Sequence, residues 1–310
     1  MPNQPNRAPF SPDLEPLRKD LAQLLPQLEA QPDWYASIYF ERKTSRMCMA
    51  NLRQTNVSEN VSMGAVLRIY DGYTLFEQAT DDLTPESLRR TAQEFVARVS
   101  ATAPQEGALL RKYKPVSWSE RLAAKLETEL SSQVPSGVKA STPVHFGVRF
   151  EKDPRAGSLE VRLKGLKDLV GRCLELAPEQ GIALEDLTYV MARQSFSEEE
   201  SLFIDRETNM SQTLYRLALT AMTMSGADRT VTRVGGLGGL EAIEFPDAEI
   251  RTLLADLKAL KGALRLEPGK YRVLFSPVLS GVLAHEAFGH SQEADTCVRG
   301  RSKAWDLHLS

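Results

Sequence analysis

The chain has 310 residues, 38 Lys and Arg against 41 Asp and Glu, a formal net charge of −3, and 42% apolar and 25% charged residues. That is the composition of a globular protein long enough to bury a large core, and it excludes a solvated coil over most of the length. With no net positive charge and no basic block the chain reads as one that binds no nucleic acid, and the three scattered cysteines, Cys48, Cys173 and Cys297, exclude a disulfide framework or a Cys-rich zinc ribbon.

Residues 1–12 are rich in Pro and Asn, without an apolar targeting core or cleavage site, and read as a disordered tail. From Asp13, residues Leu14, Leu17, Leu21, Leu24, Leu25 and Leu28 keep helical spacing, with Pro26 placed to kink or shorten the helix. Strand-like runs follow at 34–42, 46–53, 64–70 and 73–79. The last two flank Asp71-Gly72, a pair suited to a type I′ turn. Thr84-Pro85 then opens a helix whose buried stripe is Leu88, Ala92, Phe95, Val96 and Val99. Together, residues 13–102 read as an N-terminal α+β domain.

A central α+β region is expected over 103–245. It holds a connector at 102–117, a helix at 118–130 broken at 133–137, a strand at 144–151 and a helix at 159–177. Strands are expected at 187–196, 200–205 and 210–224, with lengths and alternation that suit an antiparallel sheet with one solvated face. Val234-Gly-Gly-Leu-Gly-Gly-Leu240 lacks both the Lys-Ser/Thr of a phosphate loop and the GxGxxG spacing, which leaves a flexible loop or a Gly-rich strand. An amphipathic helix follows at 247–264, a short strand at 270–275, and a helix opened by Ser276-Pro277. The fold class is therefore α+β, with mixed or antiparallel sheets and packed amphipathic helices. The apolar stretch 273–284 is too short to span a bilayer, so the expectation is a protein without membrane contact, in the cytoplasm.

Chemistry concentrates at His285-Glu286-Ala287-Phe288-Gly289-His290, an HExxxH pattern expected by chance only about 0.004 times in a chain of this composition. Two neutral imidazoles with one further ligand can hold a zinc ion and leave a position open for water. A carboxylate beside that water can take its proton and pass it to a leaving amine, and Glu286 is placed for that role. In a regular α-helix, residues five apart lie about 140° apart around the axis, so the two rings would diverge. A π-type turn near Gly289 would bring them together. Other candidates are less defined. Cys297 is either a small semi-buried residue or a third ligand. Glu293 and Asp295 either orient an imidazole or are solvated carboxylates. His145 and His308 are isolated and read as structural or exposed.

Residues 269–277 (GKYRVLFSP) and 280–295 (SGVLAHEAFGHSQEAD), continued by Arg299-Gly-Arg-Ser302, resemble the signature of the TldD/PmbA family, the modulator-of-gyrase-type metallopeptidases. Residues 34–100 also resemble the family's first domain. The resemblance implies a TldD/PmbA-like N-terminal region followed, from 246 to 310, by the incomplete start of a C-terminal metallopeptidase domain, in a C-terminally truncated TldD-like chain. It implies a zinc peptidase acting on unfolded or leader-like peptides, with His285 and His290 as metal ligands and Glu286 as general base. It further implies a third ligand, a cysteine, beyond residue 310, so that this fragment alone binds zinc weakly or not at all and is inactive. The implied partner is a PmbA/TldE-like paralogue or a second copy. The alternative is a non-catalytic partner subunit of such a complex; a hydrolase of small amides is a third reading.

Overall fold

The computed structural model describes residues 6–71, 74–110 and 143–293. The turn residue Gly72, the helix expected at 118–130 and its break at 133–137 lie outside these residues. The described residues group into two compact units, one running to Gly262 and one beginning at Ala263.

In the first unit, β1 (Asn6–Arg7) is followed by short helices α1 (Glu15–Ala22) and α2 (Leu25–Leu28). The helix expected from Asp13 is divided because Pro26, which has no amide hydrogen to donate, sits in the first turn of α2. Then come β2 (Tyr35–Asn51), β3 (Thr55–Tyr70), β4 (Leu75–Thr80) and α3 (Pro85–Leu110). Helix α3 continues into the stretch expected to be a connector, where Ala101, Ala103, Ala108, Leu109 and Leu110 are strong helix formers. After β5 (Val144–Gly147) and β6 (Arg149–Phe150) come α4 (Leu159–Leu176), β7 (Tyr189–Asp205), β8 (Asn209–Ser225), β9 (Asp228–Leu237) and α5 (Asp247–Lys261).

A seven-stranded sheet runs β4-β3-β2-β7-β8-β5, with β9 also on β8. Its pairings are antiparallel except the parallel β5–β8, which makes the fold mixed α+β. Strands β2 and β7 pair without interruption from Ser37↔Asp205 to Asn51↔Met191. Each was expected as two shorter runs, because polar residues interrupt the apolar pattern at 43–45 and 197–199.

The core explains that interruption. Helices α1, α2 and α3 cover one end of the sheet, packing on Ile38, Phe40, Leu67, Ile69, Leu202 and Ile204. Helices α4 and α5 cover the other end, on Cys48, Ala50, Val190, Ala192 and Ala221. A third cluster joins Ala8 and Phe150 to Phe196, Tyr215 and Leu217. Successive strand residues point to opposite faces, and the register puts every β2, β3, β7, β8 and β9 member of these clusters on the same face. Between the two helical layers that face turns ionic: Arg42 reaches Glu200 at 2.5 Å and Asp13 at 2.5 Å. The Glu200 side chain is only 2% exposed, so Arg42 supplies the counter-charge that its burial requires. Among the described residues the opposite face contributes none to the three clusters, in line with the one solvated face expected from the alternation.

Residues 6–12 are not a disordered tail. Asn6 and Arg7 pair with Phe150 and Arg149, and Ala8 is fully buried. The amide of Ala8 donates to the carbonyl of Val148 at 2.9 Å. Gly147 admits this strand, since a Cβ there would overlap the Ala8 carbonyl oxygen.

Of the two readings left for Val234–Leu240, the strand forms: β9 ends through Gly235 and Gly236. At Gly235 a Cβ would strike the Leu217 carbonyl oxygen and lie 2.7 Å from the Ala218 Cα, whereas at Gly236 it would meet nothing within 4 Å. Gly235→Ala is therefore expected to cost about 1–3 kcal/mol, and Gly236→Ala far less. Urea unfolding midpoints of the two variants check this; equal midpoints would contradict it.

In the second unit, residues 263–276 form no regular element, and the strand expected at 270–275 is not made. The second unit has no described strand of its own to take such a strand's backbone hydrogen bonds, and an isolated strand is not stable in water. Helix α6 (Pro277–Ala284) follows.

Candidate metal centre

Helix α6 begins as its sequence dictates. The Ser276 hydroxyl accepts from the Leu279 amide at 3.3 Å, and Pro277 occupies the first turn with its φ already helical. Beyond Ala284 the backbone changes repeat: His285–Gly289 is a π turn and His290–Gln292 a 3-10 turn. A π turn closes hydrogen bonds over one residue more than an α turn, which brings residues five apart onto the same side. The His285 and His290 ring centroids lie 4.7 Å apart, with the rings inclined at 70°. The expected distortion is thus present and the two rings converge.

One ligand atom each from His285, Glu286 and His290 can be chosen so that all three lie within 4.8 Å of one another, a group suited to a metal ion among the described residues. Imidazole nitrogens with a carboxylate oxygen suit zinc and related divalent ions. The Glu286 carboxylate stands 3.5 Å from His290 Nε2. Glu293, one of the two acidic residues left open by the sequence, accepts from His290 Nδ1 at 2.8 Å. A carboxylate can only accept, so the Nδ1 carries the proton and Nε2 is left free to ligate. The Glu293 hydrogen bond, with the nearby Glu286 charge, holds the His290 pKa above the ordinary histidine value. The side chains are open, Glu286 at 62% and His290 at 50% exposure.

The other candidates fall elsewhere. His145 contacts Ser211 Oγ at 3.0 Å and the Ala8 carbonyl at 2.8 Å, so it ties β5 to the N-terminal strand as a structural residue. Asp295, Cys297 and His308 lie outside the described residues. The sequence alone leaves Glu293 either orienting an imidazole or solvated. Its spacing of three residues from His290 was the available signal, since such residues share a helical face.

No protein-family model matches the chain. Two archaeal proteins named metalloproteases are similar to it in sequence. The protein from Methanothermobacter thermautotrophicus is 28% identical over 188 residues, 58% of this chain and 39% of that protein. The protein from Archaeoglobus fulgidus is 25% identical over 166 residues, 52% of this chain and 36% of that protein. The match thus spans less than two fifths of either relative's length. Among solved structures, a candidate modulator of DNA gyrase from Bacteroides thetaiotaomicron aligns with a TM-score of 0.52 at 12% identity, over 88% of this chain and 56% of that one. At that identity the likeness speaks for the fold alone. In fold, and in the signature at 269–302, the chain resembles the TldD/PmbA modulator-of-gyrase family, and in sequence it is similar to proteins named metalloproteases.

Proposed function

We propose that the chain is the zinc-binding part of a metallopeptidase that cleaves unfolded or leader-like peptides, with His285 and His290 as ligands and Glu286 as general base. The observation that carries this reading is the π turn, because it brings together the two imidazoles, His285 and His290, that a regular helix would turn apart. The fit to a divalent ion rests on the two imidazoles, one with its Nδ1 already committed to Glu293, with the Glu286 carboxylate beside them as base and not as ligand. When bound, such an ion supplies a Lewis acid that polarises water and a peptide carbonyl. The chain's own part is to hold His290 in the tautomer that leaves Nε2 available, and to set Glu286 where it can take a proton from water and return it to the leaving amine. The third ligand, read as a cysteine beyond residue 310, belongs to this proposal as well.

Val278, Leu279, Val282, Leu283 and Phe288 are all exposed, from 47% to 80%. An apolar patch of that kind suits burial against further protein; a PmbA/TldE-like paralogue or a second copy as partner belongs to the same proposal. Cys48 and Cys173 are free and buried, in keeping with a reducing cytoplasm. No described helix is long and apolar enough to cross a membrane.

The general-base role is tested on the zinc-loaded full-length protein, which carries the third ligand as well, by comparing it with its Glu286→Gln variant on a flexible, unfolded peptide. Cleavage is expected to fall by about 10²–10⁴-fold with zinc stoichiometry unchanged. Equal rates would contradict the role of Glu286. Zinc binding without cleavage by either form would favour the non-catalytic partner subunit.

A further inference from the structure

The open face of the sheet has a composition of its own. Four consecutive cross-strand rows on it pass through Lys43, Ser45, Met47 and Met49 of β2 and run across β3, β7 and β8, the last three reaching β9 as well. The rows contain four cations, Lys43, Arg193, Arg216 and Arg233, against a single carboxylate, Glu199. That carboxylate is held by two of them at once, Lys43 at 2.9 Å and Arg216 at 2.8 Å. Among the described residues no ion pair engages Arg193 or Arg233, and both are exposed. Between the cations lies a trough of about 280 Å³ floored by Ser45, Ser58, Asn60, Ser195 and Ser197.

This surface has positive charge without a matching anion, and hydroxyls and amides that can bond to a peptide backbone. Its four rows contain no aromatic side chain, so it lacks the stacking platforms by which single-stranded nucleic acids are held. Five strands at about 4.8 Å spacing make a strip that an extended segment of about six residues can cross.

We propose that this open face binds acidic, extended polypeptide segments, and that the substrates drawn to the chain are flexible peptides that carry a run of Asp or Glu. The identification of the ligand as polypeptide rests on the peptidase reading; the charge preference rests on the sheet alone. Surface charges that face a ligand act on its encounter and selection, and the effect is screened by salt.

The test measures binding of short, labelled Glu/Ser, Lys/Ser and neutral Ser/Asn peptides, and of a short oligothymidylate, to the full chain in EDTA by fluorescence anisotropy. The Glu/Ser peptide is expected to bind at least about tenfold tighter than the other three at low salt, and to lose most of that advantage at high salt. The Arg193→Glu/Arg233→Glu double variant is expected to weaken its binding by about tenfold or more, whereas Glu199→Gln, which frees Lys43 and Arg216, is expected to tighten it by about threefold. Arg89→Glu/Lys164→Glu makes the same change in net charge on helices α3 and α4 and is expected to leave binding unchanged. Equal binding of acidic and basic peptides, stronger binding of the oligonucleotide, or the same loss in both double variants would overturn the proposal. Peptide binding in EDTA is read without the metal, and zinc binding is measured separately in the absence of chelator: no acidic preference with zinc bound at His285 and His290 removes this inference alone, and a retained preference with no zinc binding removes the peptidase reading alone.

Discussion

Replacing His285 or His290 by Ala is expected to weaken zinc binding by more than about 100-fold, since loss of a direct ligand exceeds the 10–100-fold cost typical of losing a group that merely orients one. Glu293→Gln removes such an orienting carboxylate from His290 Nδ1 and is expected to fall within that 10–100-fold range. A site with two imidazoles binds weakly, so the affinities are read by competition with a chromophoric chelator at high chain concentration. All three residues lie in the second unit. Their replacement is therefore expected to leave the thermal transition of the first unit unmoved, which separates loss of a ligand from loss of the fold. Undiminished zinc binding in both alanine variants would remove the metal centre.

The largest effect on stability is expected at Phe40. Its ring is fully buried beneath α1–α3, and Phe40→Ala is expected to cost about 3–5 kcal/mol through lost burial and the cavity left behind. For a unit of this size that corresponds to a fall in Tm of roughly 6–20 °C. Met47 lies on the same strand but on the open face, 37% exposed, and Met47→Ala is expected to change stability by less than about 1 kcal/mol. The contrast tests the one-sided core directly. Comparable losses at the two positions would mean that both faces are covered.

Much of this was legible in the sequence, and the exceptions have physical causes. Helix α4 matches its leucine stripe, and α5 stops before Gly262 rather than at 264, because glycine is a poor helix former and the stripe alone shows no stop. The one-sided sheet followed from alternation. The lengths of β2 and β7 did not, because the ionic stretch around Arg42 and Glu200 lies between two helical layers and breaks the apolar pattern without breaking the strand. The N-terminal strand escaped notice because its anchor is not an apolar run. It depends on the backbone of Ala8 approaching Gly147, a fit that only three dimensions reveal. At the metal centre the reverse held. A spacing of five between two histidines is incompatible with a straight helix, and that incompatibility was itself the signal for the π turn.

If the His285 and His290 imidazoles grip one divalent cation, as proposed, zinc K-edge X-ray absorption on the zinc-loaded full-length protein reads their nitrogens. Two imidazole scatterers at about 2.0–2.1 Å, reduced in number in His285→Ala and in His290→Ala alike, are the expected result. A shell of oxygen ligands alone, or a spectrum unchanged by either substitution, would contradict it.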